Sequence, residues 1–165
     1  MHDDRLTTEW ELDATPSQVW DVLLDVRCWP EWWRGFRDVV VLDPGASTGV
    51  GMTLHQRWRS LLPLDLDLDL RITAIERHRR LVAAASGDME GTCTWTLHER
   101  QGRTVVEFEL DARPTHLWMR WPWPLARRVI AWNAGAIMQR GGEGLATRLG
   151  PASEVRAGAP ATASA

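Results

Sequence analysis

Polar and apolar residues first alternate at Thr7–Leu12. Thr8, Trp10 and Leu12 fall on one side, and Thr7, Glu9 and Glu11 on the other, as in a strand with one buried face. Thr15-Pro16-Ser17-Gln18 then predicts a helix start. Thr15 caps, Pro16 occupies the first helical position where its missing N–H costs nothing, and Gln18 completes a capping box. Val19, Trp20, Leu23 and Leu24 form the inner stripe of this short helix, which should end near 25–27. A second short helix is predicted over 29–35, with Pro30 in its first turn and Gly35 as its stop.

Strands follow in series. Phe36–Asp43 is one, and the glycine-containing loop 44–51 leads into another over 52–60. Because that loop opens onto a strand and not a helix N-terminus, it is a connection and not a phosphate cradle. In the next strand, 64–76, Leu64, Leu66, Leu68 and Leu70 alternate with Asp65, Asp67 and Asp69. Successive carboxylates on one strand face stand about 7 Å apart, too far to surround a single cation without loop ligands. A turn at 61–63 would instead set Arg59 opposite Asp65, Arg57 opposite Asp67 and His55 opposite Asp69, a charge ladder on the solvent side. The inward face would then pair Trp58 with Leu66, Gln56 with Leu68 and Leu54 with Leu70. Strands over 80–86, 92–100 and 103–112 complete the series, with a turn at 87–91 and a hairpin at Gln101-Gly102. Cys93, Trp95 and Leu97 share an inward face.

Past Pro114 the period becomes helical. A continuous helix is predicted from near Pro124 to Leu149, with Ala126, Val129, Ile130, Asn133, Ile137, Gly141, Leu145 and Leu149 along one stripe. Gly141, Gly142 and Gly144 weaken a helix and so point to close packing against a sheet. The order is strand, two short helices, six strands and one long helix. That predicts an α+β domain over 1–149, an antiparallel sheet crossed by the C-terminal helix. Residues 150–165, rich in Ala, Pro, Ser and Gly, are expected to be a disordered tail.

Composition narrows the chemistry. The net charge of -3 provides no basic field for nucleic acid. Cys28 and Cys93 are too few for a disulfide framework or a four-thiolate metal site, and no metal or cofactor is expected. The N-terminal residues lack the features of a signal peptide, and no run is apolar enough to span a bilayer, so the expected location is cytoplasmic. All 19 basic residues are Arg and there is no Tyr. Lysine Schiff-base and tyrosine acid chemistry are therefore excluded. The 11 Trp exceed what a core of this size needs.

Ala14-Thr15-Pro16-Ser17-Gln18-Val19-Trp20-Asp21-Val22-Leu23 followed by Trp29-Pro30-Glu31-Trp32-Trp33 resembles the opening of the SRPBCC superfamily. That group includes polyketide cyclase/dehydrases, START lipid-transfer domains and the birch-pollen-allergen fold. Gly49-Val50-Gly51, Ser86–Gly91 and Trp132-Asn133 with Met138–Leu145 resemble its later landmarks. The resemblance implies a helix-grip fold: a curved seven-stranded antiparallel sheet around the C-terminal helix, with an apolar cavity between them. Many bacterial relatives carry His-Asp after the Trp-Asn pair, where this chain has Ala134-Gly135, so no acid–base role transfers to those positions.

The candidate ligand-binding residues are Trp10, Gln56, Trp58, Trp95, Trp118, Trp121 and Asn133. The tryptophans supply flat apolar surface on inward faces or near the long helix, and Gln56 and Asn133 are amides set in apolar stripes. His55, His78 and His98 are expected to be exposed, with His116 near the helix entrance, and no catalytic residue is assigned. Arg113, Arg120, Arg127 and Arg128 form a local basic cluster. The expected function is binding of a small hydrophobic ligand, lipid-like or polyketide and aromatic. The alternatives are a polyketide cyclase/dehydrase-type enzyme and a protein-partner or stress-response module.

Overall fold

The computed structural model describes residues 5–59, 65–115, 124–150 and 156–157, with side chains described for all but 124–131 and 156–157. Seven long strands form: β1 (Arg5–Leu12), β2 (Phe36–Asp43), β3 (Thr53–Arg59), β4 (Asp65–Glu76), β5 (Arg80–Gly87), β6 (Met89–Arg100) and β7 (Arg103–Pro114). Between β1 and β2 lie α1 (Pro16–Leu24), a 3-10 turn (Val26–Cys28) and α2 (Trp29–Trp32), and the long helix α3 is Pro124–Leu149. The strand order is β2-β3-β4-β5-β6-β7-β1, extended at β1 by the two-residue β8 (Arg156–Ala157), and every pairing is antiparallel. This is the helix-grip architecture.

Local chemistry explains the boundaries. The Gln18 N–H donates to Thr15 Oγ1 at 3.3 Å and the Thr15 N–H donates to Gln18 Oε1 at 3.0 Å, closing the capping box that starts α1. At the other end, Trp29 Nε1 donates to the Leu23 carbonyl at 3.0 Å, satisfying an acceptor that the last helical turn leaves open. The β3–β4 register matches the alternation throughout: Arg59 faces Asp65, Arg57 faces Asp67, His55 faces Asp69 and Gln56 faces Leu68. Arg57 Nε lies 3.0 Å and His55 Nδ1 2.7 Å from their Asp partners. Asp65 is bridged instead by Arg37 of β2, at 3.3 Å.

Two stretches differ from expectation. The turn expected at 87–91 shrinks to Asp88, and β6 begins at Met89. Asp88 clips itself to β4: its N–H donates to the Asp67 carbonyl at 3.0 Å, and its Oδ2 accepts from the Asp67 N–H at 2.9 Å. Within the span expected to be disordered, Ala157 pairs with Trp10 and Arg156 with Glu11. An edge strand offers backbone partners to any extended segment, whatever its side chains. The turn expected at 61–63 lies outside the described residues.

Candidate functional site

The inward faces bring the tryptophans together, through partners from the segment between α1 and β2. Trp33, 1% exposed, is the hub. Its ring stands edge-on to Trp10 at 5.5 Å and to Trp58 at 5.3 Å, and stacks on Trp32 at 5.5 Å. Trp29 bridges Trp33 and Trp95, each at 6.2 Å, and Trp95 continues to Phe108 at 5.0 Å. So Trp10, Trp58 and Trp95 do converge from three strands. Trp29, Trp32 and Trp33, from the segment that the sequence predicts as a short helix, are the residues that join them.

The glycines of α3 make this packing possible. A Cβ on Gly141 would strike the Trp33 ring, one on Gly142 would lie 2.7 Å from Trp10 Cδ1, and one on Gly144 would strike the Trp32 carbonyl. Close packing was expected there, but against the sheet. Only Trp10 belongs to the sheet; the other two contacts are to α2 and the residue after it. Three glycines on a helix facing an unassigned Trp-Trp pair are the signal that could have identified these partners. Trp33 Nε1 also donates to the Ile137 carbonyl of α3 at 3.0 Å, locking ring and helix together.

At this end of the molecule tryptophan fills space. The partly open space lined by Trp20, Leu23, Leu24, Trp29, Leu81 and Trp95 is about 10 Å³, room for about one water. A more open groove of about 250 Å³ lies at the end of β7, lined by Glu90, Arg113, Pro114 and Thr115.

The two candidate amides, Gln56 and Asn133, are both buried. Gln56 is 0% exposed, and its Oε1 accepts from Trp58 Nε1 at 2.9 Å. This bond fixes the amide orientation, because only the oxygen can accept from an indole N–H. Gln56 Nε2 is then left buried with no partner among the described residues, as are Trp10 Nε1, Trp32 Nε1, Trp95 Nε1 and His78 Nε2. Asn133 is buried on α3, one helical turn before Ile137. Ile137 and Trp58 both crowd Gly35, whose added Cβ would lie 2.7 Å from Ile137 Cγ2 and 3.4 Å from Trp58 Cε3. Ile137 of α3 and Trp58 of β3 thus approach one point at Gly35, with Gln56 bonded to Trp58 on the strand and Asn133 one turn before Ile137 on the helix.

Trp118, Trp121, His116 and Arg120 lie outside the described residues, as do the side chains of Arg127 and Arg128. His55 and His98 face outward as expected. His78 does not fit the expectation of exposure: its φ is 61° and its ring is half-buried edge-on against Trp20 at 6.1 Å. Burial pushes the Cys93 thiol up to about 12, so it stays protonated at neutral pH. A hydrogen bond to Asp25 is the main cause raising Cys28 to about 11. Among the described residues no group of three or more His, Cys, Asp or Glu is placed to hold a metal ion, and no helix is long and apolar enough to cross a membrane.

A long C-terminal helix gripped by a curved antiparallel sheet, with short helices after the first strand, defines the class of helix-grip domains. The chain belongs to the polyketide cyclase / dehydrase and lipid transport family, whose model matches residues 3–150. Among solved structures it is similar to a START superfamily protein from Mycobacterium smegmatis, at 13% identity and TM-score 0.70, covering 88% of this chain and 96% of that one. It is also similar to the Zhui aromatase/cyclase from Streptomyces sp. R1128, at 12% identity and TM-score 0.70, covering 90% and 94%. A conserved protein from Geobacillus kaustophilus matches at 10% identity and TM-score 0.70, covering 92% and 99%. No curated protein sequence matches the chain. At these identities the structural likeness speaks for the fold.

Proposed function

We propose that the protein binds a small apolar molecule carrying a hydrogen-bond acceptor, held between β3 and α3 with Gln56 directed at that acceptor. The observation that carries this reading is the buried, unpartnered Gln56 Nε2. A buried donor left unmade costs about 1–3 kcal/mol, so a ligand carbonyl seated there would recover that cost. Trp58 holds the amide with its N–H₂ side free, and Trp95 Nε1, also without a partner among the described residues on an inward strand face, is a further donor. Acceptor-bearing ligands such as ketones, quinones and esters fit such a lining better than hydroxyl donors do. Trp118, Trp121 and Asn133 complete the proposed binding set.

Binding is favoured over acid–base catalysis by the chemistry of that face. Gln56 and Asn133 do not titrate, and the Cys93 thiol is held protonated by burial.

The test pairs an aryl ketone with its hydrocarbon analogue, each followed by saturable quenching of Trp emission. Gln56→Leu should weaken the ketone about 5- to 100-fold and leave the hydrocarbon unchanged. Equal losses for both ligands, or no saturable quenching by either, would reject the site. Native mass spectrometry of protein purified from its own host would name the class of any retained ligand.

A further inference from the structure

The two edges of the sheet differ. β1 is paired with Arg156–Ala157, whereas among the described residues nothing lies beyond β2. Natural proteins usually blunt such an edge with charge, proline or a covering segment. β2 instead runs through four consecutive apolar residues, Val39–Leu42, with Val40 44% and Leu42 59% exposed. The Arg59 N–H donates to the Gly35 carbonyl at 2.7 Å, which sets the phase of the β2–β3 ladder. Stepping along β3 by twos reaches His55, which faces Val40. Val40 therefore spends its backbone groups on β3, and the N–H and C=O of Val39 and Val41 turn toward the open edge.

We infer that β2 pairs antiparallel with β2 of a second copy of this chain, about a two-fold axis at Val40. In this register Val39 of each copy exchanges N–H···O bonds with Val41 of the other, and the exposed Val40 side chains meet. Arg37 then lies across from Asp43 at both ends. The two are on the same sheet face: Arg37 reaches outward to Asp65, and Asp43 faces Thr53, which shares the outward side with His55 and Arg57. The neighbouring symmetric registers lose this match, since centring on Val41 sets Val39 against Asp43, and centring on Val39 sets Val41 against Arg37. A contact that is the same patch on both partners closes as a dimer. Bulges at Arg37 and Leu42 keep the paired stretch short. A contact confined to one short strand is small beside the roughly 1,200 Å² of a standard stable interface, so the expected dimer is weak and concentration-dependent.

Sedimentation velocity on the full chain across a concentration series tests this independently of any ligand, with circular dichroism to check folding. The expected result is a reversible monomer–dimer equilibrium. Val40→Lys and Arg37→Asp should each move its midpoint to concentrations about tenfold higher or more, and combining Arg37→Asp with Asp43→Arg should restore it. A chain that stays monomeric throughout overturns the inference. So does a dimer indifferent to both single substitutions, or a charge swap that fails to restore pairing between folded chains.

Discussion

The two halves of α3 meet the rest of the molecule in opposite ways. From Ile137 onward the helix gives up side chains, so that Trp10, Trp32 and Trp33 can press against its backbone at Gly141, Gly142 and Gly144. One turn earlier it carries the buried Asn133, a polar side chain like Gln56, which is locked by Trp58 and has an N–H₂ without a partner among the described residues. Both regions hold buried donors without partners, for different reasons. An added Cβ at Gly142 would lie 2.9 Å from Trp10 Nε1, so close packing leaves that indole no room for a partner. Gln56 is a chosen polar group where Leu or Met would fill the same stripe. The first region is built for rigidity. The second carries a cost that folding does not need.

Substitutions at the two regions should therefore separate stability from binding. Gly144→Ala is expected to act most strongly, because its Cβ would collide with the Trp32 carbonyl, and backbone cannot swing aside as a side chain can. A loss of about 3 kcal/mol is expected from chemical denaturation, exceeding the roughly 1 kcal/mol that Ala adds in helix propensity. A neutral Gly144→Ala would mean that α3 can shift away from α2, removing the contrast. Gln56→Leu comes next and should change apo stability by no more than about 1 kcal/mol, since it removes both an unpaired buried donor and the acceptor for Trp58. A much larger loss would make Gln56 a structural amide and move it into the rigid half.

The smallest effect should come from the outer face, which belongs to neither region. Asp67→Ala removes the ladder partner of Arg57, and both side chains are about half exposed. Solvent screens such a pair, so the melting temperature should fall by at most about 3 °C. A larger drop in a thermal melt would show that the ladder, and not the aromatic interior, holds β3 to β4.

Where a structural choice depended on near neighbours in the chain, it was legible in the residues. Period two set the strands and put Gln56 opposite Leu68. Thr15, Pro16 and Gln18 set the start of α1, and an assumed three-residue turn was enough to predict the β3–β4 pairs from Arg59–Asp65 to Leu54–Leu70. These features follow from backbone geometry and local hydrogen bonding, which repeat within a few residues. The partner of Asp65, the shortening of the 87–91 turn and the pairing of Arg156–Ala157 depended on strands distant in sequence, and no local pattern carried them. The candidate site divides in the same way. That Trp10, Trp58 and Trp95 point inward could be read from alternation, and that the α3 glycines admit a close neighbour could be read from helix propensity. Which rings fill that space, and that Gln56 gives its oxygen to Trp58 and finds no partner for its N–H₂ among the described residues, was decided only by tertiary packing. Alternation specifies the face a side chain occupies, whereas occupancy of the interior depends on the volumes and directions of groups brought together from β1, α2, β3 and α3 at once.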